Sequence, residues 1–413
     1  MASKGGSGGA DLSTTSAGQP TLSPAAAERE QKATGSSWID VTRKIPMVPP
    51  RLMAAIEGWS FDSLSSQQGK VFIITGGTSG IGAEASRELA KKGAHVIIAA
   101  PDLERSETIL QEMRRSTPDL LGRLDYIPLD LSSLHSIRNF VQEFLSRNLP
   151  LHALLCNAAL QLRDADKTAD GMEQRWGTNF VGHFYLAHLL LGKLGENTPS
   201  RIVFQSSLEE QAGSIPWEDP LGMNPPPGAD WYASSKLGNL MAGLEMARRL
   251  QGTSLDVFVV HPGVAQTDIF HKYERHPVGS MYRQLMQAVG GQSAYRGALP
   301  LVYAAAEPSL QGKGGKFLGP RYTKINLISI LGQVYSFASL TPINKEAKSL
   351  HARFRLYEQT ADALEGLLHQ PLPNRLRGVP LMPKMEAAVA AGGGHVKRTE
   401  GGVAAATVKT AEE

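Results

Sequence analysis

Lys70-Val-Phe-Ile-Ile-Thr75 runs directly into Gly76-Gly-Thr-Ser-Gly80-Ile-Gly82, and this stretch decides the fold. Its first half is a short apolar run, typical of a strand buried on both faces of a parallel sheet. Its second half is a glycine turn leading into residues 83–92, which carry a helical pattern and end before Gly93. Glycines let the backbone approach a pyrophosphate, and a helix N-terminus favours its charge, so the stretch predicts a dinucleotide site.

Strand and helix patterns alternate after this stretch. The later predicted strands are 94–100, 124–129, 151–156, 201–206 and 255–260. The predicted helices are 103–115, 132–147 with Ser132 as its N-cap, 174–194 and 231–251. Such alternation requires right-handed crossovers. It predicts an α/β fold, a Rossmann-type doubly wound parallel sheet of about seven strands with helices on both faces.

The two ends of the chain differ in composition from its middle. Residues 1–35 are rich in Gly, Ser, Ala and Thr, and residues 374–413 have a similar character. Neither can bury enough apolar surface to offset the entropy lost on ordering, so we expect disordered extensions. Residues 36–68 are expected to be a linker that packs on the domain, and residues 69–373 to form one large domain.

Composition excludes several classes of protein. The net charge is +3 and the basic residues are scattered, which argues against nucleic-acid binding. The single cysteine, Cys156, excludes an internal disulfide framework and suits a reducing compartment. No apolar run reaches the roughly 18 residues that span a bilayer. The nearest, 327–340, is expected in the core or a pocket wall, with contact to a membrane surface as the alternative.

The N-terminus sets the expectation for location. It lacks the positive-then-apolar pattern of a secretory signal and holds few acids before residue 35. We therefore expect a cytoplasmic protein, with a transit peptide for an organelle (plastid or mitochondrion) as the alternative.

Polar residues follow several predicted strands, at the sheet edge where ligands bind. Asp130-Leu131, Asn157-Ala-Ala159, Ser206-Ser207 and His261-Pro-Gly-Val-Ala-Gln-Thr267 follow the third to sixth strands. Asp130 could accept a hydrogen bond from an adenine amino group, or it could bond its own loop backbone. Ser207 supplies a neutral hydroxyl that can hold a carbonyl oxygen.

Tyr232 and Lys236 lie four residues apart in 231–251, which is predicted to be an amphipathic helix. Residues at this spacing share a helix face, so the phenol and the ammonium can point into one site. A nearby positive charge favours the phenolate and brings a tyrosine pKa of about 10 nearer the working range of an acid–base catalyst. Such a pair also occurs by chance on surface helices, so its meaning depends on the rest of the chain.

Seven short motifs occur together in the order and near the spacings of one family. They are T-G-G-T-S-G-I-G at 75–82, D-L at 130–131, C-N-A-A at 156–159, T-N at 178–179, S-S at 206–207, Y-A-S-S-K at 232–236 and H-P-G-V-A-Q-T at 261–267. With them, residues 69–316 resemble the short-chain dehydrogenase/reductase family. Residues 178–186 and 260–268 are similar to its retinol dehydrogenase-like and WW-domain-oxidoreductase-like branch.

The resemblance implies a catalytic role for each of four residues. Tyr232 would exchange a proton with the substrate oxygen, and Ser207 would hydrogen-bond that oxygen. Lys236 would lower the pKa of the tyrosine and hold the nicotinamide ribose. Asn179 would hold a water that relays protons by way of Lys236.

The resemblance also implies a nicotinamide cofactor and no metal. The residues implied in binding the cofactor are Gly76, Thr78, Ser79, Gly80, Ile81, Gly82, Asp130, Leu131, Asn157, Ala158, Tyr232, Lys236, Pro262, Gly263, Val264 and Thr267. Of these, Thr267 would anchor the nicotinamide carboxamide, with the Val264 backbone nearby.

The choice between NADP(H) and NAD(H) depends on the end of the second strand. NADP-preferring relatives carry a basic residue there, but this chain has Pro101. Asp102 falls too late to bond a free ribose squarely, while Arg105 lies one helical turn on and could reach a phosphate. On the resemblance, we expect NADP(H) to be slightly preferred.

The implied activity is the interconversion of a carbonyl and an alcohol on a hydrophobic small molecule that resembles a retinal, a steroid or an aromatic ketone. Residues 208–230 are expected to form a pocket wall, because Ser207 and Tyr232 flank them, and 268–292 to form a mobile lid. Aromatic residues in and beside these segments, including Trp217 and Trp231, favour an apolar substrate. A homo-oligomer and peripheral contact with a membrane are compatible with this reading of the sequence.

Two alternatives stay open. Residues 155–159, 307–310 and the 208–230 insert also resemble protochlorophyllide reductase, which reduces a double bond. However, Val264 stands where that enzyme carries a cysteine, and Ala233-Ser234 stands where it carries Lys-Asp. The second alternative is a nucleotide-binding scaffold without catalysis, which would have no need of all four catalytic residues.

Three other residues are expected to be structural. Cys156 ends a buried strand and is most simply a small core residue. His183 lies in an apolar helix and is predicted to be a packed or interface histidine rather than an acid or base. His261 is predicted to shape its loop.

Overall fold

A computed structural model of the protein describes residues 59–161, 166–263, 293–319 and 343–377. Seven parallel strands form one sheet, which confirms the predicted fold class. They are β1 (Val71–Thr75), β2 (His95–Ala100), β3 (Arg123–Pro128), β4 (Ala153–Cys156), β5 (Ser200–Gln205), β6 (Leu255–Val260) and β7 (Phe317–Leu318). Their order is β3-β2-β1-β4-β5-β6-β7, so the strand order reverses between β1 and β4. In a doubly wound sheet, the crevice at this reversal is where ligands bind.

Helices flank both faces of the sheet. They are α1 (Gly80–Lys91), α2 (Leu103–Ser116), α3 (Leu134–Ser146), α4 (Gln174–Trp176), α5 (Gly182–Glu196), α6 (Trp231–Arg249), α7 (Ala294–Ala306), α8 (Lys345–Lys348) and α9 (Leu350–Leu368). A π-helical turn, Gly177–Val181, joins α4 to α5. Such a turn inserts one extra residue into a helix and is frequent at functional sites.

Two apolar layers hold the sheet between the helices. Ile73 of β1 belongs to the layer that also contains side chains of α3, α5 and α6. Its neighbours Phe72 and Ile74 belong to the opposite layer, with α1 and α7. Because both faces of β1 are covered, its first four residues, 71–74, are all apolar rather than apolar at alternate positions.

The helix that carries Tyr232 differs from its prediction. We expected an amphipathic helix, but residues 231–246 of α6 are all buried. Strands β5 and β6, helix α9 and the 3₁₀ turn Leu208–Ala212 all pack around α6. The polar side chains of this helix therefore point into the protein interior rather than into water.

The predicted N-cap of α3 was wrong by one residue. Ser133 caps the helix, with its hydroxyl accepting a hydrogen bond from the Ser136 backbone at 3.3 Å. Ser132 bonds Asp130 instead, through both its backbone N–H and its hydroxyl. The two serines are adjacent and chemically alike, so only the path of the loop distinguishes them.

The C-terminal helix α9 is part of the domain. The buried Tyr357 hydroxyl makes a 2.7 Å hydrogen bond with His188 of α5 and accepts one from the Leu376 backbone. Arg375 pairs with Asp362 and Glu365, both at 2.8 Å. The folded domain therefore extends beyond the predicted boundary at residue 373, at least as far as residue 377.

The N-terminal side of the domain begins before β1. Phe61 and Leu64 are buried in the layer that contains α1 and α7. The rest of the predicted linker, the extension 1–35 and residues 378–413 lie outside the described residues. Within the described ranges, no helix is both long enough and apolar enough to cross a membrane. The apolar run 327–340 is also outside the described residues.

We expect Leu356→Ala to destabilise the whole domain. Leu356 lies in α9 and is fully buried, so its truncation removes buried apolar surface and leaves a cavity, at a cost of about 2–5 kcal/mol. The free energy of unfolding, measured by urea denaturation, gives the change, and His351→Ala at an exposed position of the same helix is the control. A loss below about 0.5 kcal/mol would show that α9 is not packed as part of the domain.

Candidate active site

The glycine turn between β1 and α1 is shaped by close backbone packing. Gly76 has a φ of +66°, in the left-handed region that favours glycine. A Cβ on Gly82 would lie 2.2 Å from the Gly76 carbonyl oxygen and 2.6 Å from Nδ2 of Asn157. Glycine at these two positions therefore lets the turn lie against the end of β4.

The N-terminus of α1 is suited to an anion. Ser79 occupies the N-cap position, but its side chain makes no capping hydrogen bond, and the first turn holds no acidic residue. Helices α2 and α6, by contrast, are capped by the carboxylates of Asp102 and Asp230. The first N–H groups of a helix have no partner within the helix and attract negative charge. The turn from Gly76 to Gly82, including Thr78, Gly80 and Ile81, thus fits a pyrophosphate group.

The end of β2 holds the residues that bear on cofactor choice. Pro101 and Asp102 are both exposed. The Asp102 carboxylate accepts a hydrogen bond from the Arg105 backbone at 3.0 Å, so it serves as the cap of α2. The Arg105 side chain is exposed one turn into the helix. A preference for NADP(H) stays a prediction.

The residues after β3 form a self-bonded loop. The exposed Asp130 carboxylate accepts hydrogen bonds from the backbone and the hydroxyl of Ser132, at 2.8 and 2.7 Å. Leu131 is buried beneath it. Of the two alternatives for Asp130, the bond to its own loop is present, and the contact with adenine stays a prediction.

Thr75 ties the end of β4 to the end of β1. Its hydroxyl oxygen accepts hydrogen bonds from the backbone N–H groups of Asn157 and Ala158, at 2.9 and 3.0 Å. The Asn157 side chain donates in turn to the Thr75 carbonyl at 2.8 Å. These bonds fix the two strand ends that border the crevice.

Asn179 lies in the π-helical turn before α5 and is fully buried. Its side-chain oxygen accepts from the Leu160 backbone at 2.7 Å, while its amide nitrogen donates to the Leu160 carbonyl at 2.9 Å. The same nitrogen donates to the Ser235 hydroxyl at 3.0 Å. Asn179 therefore joins the loop after β4 to helix α6.

Tyr232 lies in the first turn of α6, where Asp230 caps the helix by accepting from the Ala233 backbone at 3.0 Å. The Ser235 hydroxyl donates to the Tyr232 carbonyl at 2.8 Å. Because Ser235 also accepts from Asn179, it links Asn179 to the turn that carries Tyr232. Tyr232 itself is 8% exposed, so only a small part of it is accessible to solvent.

Lys236 carries its charge in the protein interior. Its ammonium donates to the Gln205 carbonyl at the end of β5, at 3.1 Å, and lies 5.5 Å from the centroid of the Tyr232 ring. Burial lowers the pKa of Lys236 to about 8, although the negative charge of Glu209 acts in the opposite direction. The ammonium and the phenol thus share one site, as the four-residue spacing predicted.

Ser207 follows β5 and begins the 3₁₀ turn Leu208–Ala212, where its hydroxyl accepts from the Glu209 backbone at 3.2 Å. The preceding Ser206 is buried, and its hydroxyl donates to the Lys236 carbonyl at 2.8 Å. Ser206 thus joins β5 to α6, and Ser207 is the serine of the pair with the more accessible position. The choice of Ser207 as the catalytic serine stays a prediction.

The loop after β6 is described only at its start. His261 is buried, packs on Phe317 with ring centroids 5.1 Å apart, and accepts from the Gly263 backbone at 3.2 Å. Burial lowers its pKa to about 4, so it is neutral and shapes the loop that contains Pro262 and Gly263. Val264, Thr267 and the predicted lid 268–292 lie outside the described residues.

The remaining residues expected to be structural are buried. Burial raises the pKa of the Cys156 thiol and lowers that of His183 to about 4. Neither is suited to acid–base work near neutral pH. Within the described ranges, no cluster of three or more His, Cys, Asp or Glu side chains could hold a metal ion.

The two tryptophans do not support the expected apolar pocket. Trp231 is 4% exposed and packs on Trp176, with ring centroids 6.1 Å apart. Trp217 packs against the guanidinium of Arg355, which lies 4.5 Å from its ring centroid. Both rings are engaged in contacts within the fold, so an apolar substrate needs other support.

Sequence reasoning missed two polar residues of the site. Ser235 and Asn239 share the face of α6 that carries Tyr232 and Lys236, and Asn239 donates to the Asn179 carbonyl at 3.0 Å. Their positions, three and seven residues after Tyr232, follow the helical repeat. This spacing could have indicated that both residues belong to the site, but the polar face of a surface helix would show the same pattern.

Comparisons with known proteins identify relatives of this chain. The family model described as short chain dehydrogenase matches residues 70–277. Mouse retinol dehydrogenase 12 is 42% identical over 201 residues, which are 49% of this chain and 63% of that protein, less than two thirds of its length. Mouse polyprenol dehydrogenase is 36% identical over 264 residues, covering 62% of this chain and 77% of that protein.

A solved structure shares the fold. It is an uncharacterized protein from Mycobacterium paratuberculosis that is 29% identical, with a TM-score of 0.57. The alignment covers 76% of this chain and 99% of that one.

We expect the stability of the protein to depend on the titration of Lys236. Its folded-state pKa of about 8 is lower than the value of about 10.4 in an unfolded chain, so the unfolded state binds more protons between these values. Wild type should therefore gain roughly 3 kcal/mol relative to Lys236→Met as pH rises from about 8 to 10.5. Urea denaturation of both proteins across this range measures the difference.

An exposed lysine provides the control for this measurement. Lys313 lies in an exposed turn, so Lys313→Met should track wild type at every pH. A stability difference between wild type and Lys236→Met that stays constant from pH 7 to 10.5 would contradict a buried, depressed lysine.

Proposed function

The chain belongs to the short-chain dehydrogenase family, a family of oxidoreductases, and from this membership we propose a specific activity. The protein interconverts a carbonyl and an alcohol on a hydrophobic small molecule, with NADP(H) slightly preferred over NAD(H) as its cofactor. The observation that carries this proposal is the buried pair of Tyr232 and Lys236, joined through Ser235 to Asn179 at the carboxyl edge of the sheet.

The glycine turn and the ends of the central strands are the proposed cofactor site. The uncapped N-terminus of α1 would hold the pyrophosphate, since its N–H groups attract negative charge. Asp130, Leu131, Asn157 and Ala158 would border the adenosine and central part of the cofactor. Pro262 and Gly263, with Val264 and Thr267 beyond them, would border the nicotinamide.

The proton is handled by the residues of this chain. Tyr232 donates it to the substrate oxygen during reduction and takes it back during oxidation. The ammonium of Lys236 favours the phenolate form of Tyr232, because a nearby positive charge stabilises the anion. The cofactor, when bound, supplies or accepts the hydride.

Two further residues complete the proposed reaction site. Ser207 donates a hydrogen bond to the substrate oxygen and so stabilises charge that develops there. Asn179 holds the start of α6 in place through Ser235. We also propose that Asn179 binds a water molecule that relays protons by way of Lys236. Lys236 also binds the nicotinamide ribose in this proposal.

The proposed substrate class is based on the names of the relatives and not on the lining of a substrate pocket. Retinol dehydrogenase 12 and polyprenol dehydrogenase are named for long apolar alcohols, and each is more than a third identical to this chain over the residues that align. We propose a substrate of this kind, with residues 208–230 and 268–292 as pocket wall and lid. For location, the proposal keeps the cytoplasm, with an organelle as the alternative; a homo-oligomer and contact with a membrane surface are compatible with it.

We expect Tyr232→Phe to abolish turnover without weakening cofactor binding. The substitution removes the proton donor but keeps the ring, so kcat should fall by roughly 10²- to 10⁴-fold. Purified protein is assayed with NADPH or NADH against retinals, polyprenals, steroid ketones and aromatic aldehydes, and cofactor Kd is measured by fluorescence. Tyr295→Phe, at a partly exposed tyrosine away from the site, is the control.

Two results would count against the proposed function. Full turnover by Tyr232→Phe would remove the tyrosine from the mechanism. Cofactor binding by wild type without turnover of any member of the panel would favour the nucleotide-binding scaffold.

We expect Arg105→Ala to discriminate between the two cofactors. If the exposed guanidinium binds the 2′-phosphate, its loss removes a charge-assisted hydrogen bond and raises KM for NADPH about tenfold, while KM for NADH is unchanged. Arg115→Ala, in the last turn of the same helix, is the matched control. Equal effects of Arg105→Ala on both cofactors would exclude this arginine from 2′-phosphate recognition.

A further inference from the structure

His183 connects the glycine-turn strand to the π-helical turn that contains Asn179. One ring nitrogen, Nδ1, lies 2.8 Å from the Asn179 carbonyl, and the other, Nε2, lies 2.9 Å from the Thr75 hydroxyl. The ring is fully buried. Both nitrogens of this histidine are therefore bonded inside the protein, between two of the residues that border the candidate site.

The partners of the ring decide its tautomer. A carbonyl oxygen only accepts hydrogen bonds, so Nδ1 must carry a proton and donate to Asn179. In a neutral imidazole the other nitrogen then accepts, and Thr75 must be its donor. Burial lowers the pKa of His183 to about 4, which keeps the ring neutral at physiological pH.

The other contacts of the Thr75 hydroxyl also make it the hydrogen-bond donor to His183. Its oxygen already accepts from the backbone N–H groups of Asn157 and Ala158, and a hydroxyl has two lone pairs and one proton. The proton has two neighbouring acceptors, His183 at 2.9 Å and the Leu155 carbonyl at 3.3 Å. The shorter contact, and the need of Nε2 for a donor, direct it to the histidine.

The Asn179 carbonyl is held by side chains. It accepts from His183 and from the Asn239 side chain, at 2.8 and 3.0 Å. The π-helical turn allows this, because it breaks the regular pairing of carbonyls with N–H groups four residues on. The position of Asn179 thus depends on side chains that reach it from α5 and α6.

We propose that His183 is a positioning residue that couples the cofactor turn to the orientation of Asn179. The path runs from Thr75, at the start of the glycine turn, through the neutral ring to Asn179, and from there to Leu160 and Ser235. His183 touches neither substrate nor cofactor in this scheme. The inference rests on the proposed function only in assigning Asn179 a part in the reaction.

The same helix provides a matched control in His188. Its Nδ1 bonds the Phe184 carbonyl four residues earlier at 2.7 Å, and its Nε2 bonds the Tyr357 hydroxyl at 2.7 Å. It is fully buried, and burial lowers its pKa to about 4 as well. His188 therefore has the local geometry of His183 but connects α5 to α9 instead of to the candidate site.

The first test measures hydrogen exchange at the Leu160 amide, which donates to Asn179. In His183→Phe this amide should exchange roughly five- to tenfold faster than in wild type, as expected when one buried hydrogen bond is lost. His188→Phe should leave it unchanged once the exchange of β5 amides has been used to correct for global stability. This arm needs neither substrate nor cofactor, so it remains decisive if the proposed function fails.

The second test measures kinetics on any substrate that wild type turns over. His183→Phe should lower kcat by about tenfold with little change in KM for cofactor, because it misplaces Asn179 without removing a binding group. His188→Phe should keep wild-type kcat. If wild type itself shows no turnover, the proposed function is contradicted. The role of His183 is then tested by the Leu160 exchange rate alone.

Thr75 gives a second pair of variants in case His183→Phe does not fold. Thr75→Ser keeps the hydroxyl and should show wild-type Leu160 exchange, whereas Thr75→Val should reproduce the faster Leu160 exchange. The proposal is overturned if His183→Phe, or Thr75→Val in its place, leaves Leu160 exchange at the wild-type rate. It is also overturned if His188→Phe changes exchange and kcat by the same factors, since general packing would then explain both.

Discussion

The buried ammonium of Lys236 is the constraint on which the site depends. A charge in the interior is costly unless polar groups surround it, and the Gln205 carbonyl at the end of β5 offsets part of that cost. To bring the two together, α6 must lie directly on the sheet, and Ser206 fixes it there by bonding the Lys236 carbonyl. The same placement explains why α6 is buried on all sides and why the pKa of Lys236 falls to about 8.

Hydrogen bonds at the carboxyl edge of the sheet then connect this charge to the nucleotide turn. Thr75 joins β1 to β4, His183 joins Thr75 to Asn179, and Ser235 joins Asn179 to the turn that carries Tyr232. Each of these groups is buried or nearly so, and each would be costly without its partner. The site is therefore rigid where proton transfer is proposed, while the predicted lid is contributed by a separate stretch of chain.

The central sheet and part of the site could be predicted from the sequence for definite reasons. Parallel strands covered on both faces are apolar at every position, so β1 is recognisable without its neighbours. The spacing of Tyr232 and Lys236 places both on one face of any helix. Ser235 and Asn239 follow the same spacing, yet the partner they share, Asn179, lies more than fifty residues away along the chain. Local pattern could not tell whether that polar face was exposed to water or buried.

The sequence by itself determined the succession of strands and helices from residue 70 to 260, the glycine turn and the shared helix face of Tyr232 and Lys236. These features depend on backbone conformation and on side-chain spacing within a few residues, which local chemistry controls. Only the tertiary structure decided that α6 is buried all round and that His183 bonds Thr75 and Asn179. Those contacts join residues distant in sequence, and they form because buried polar groups must find partners wherever the packed fold brings them.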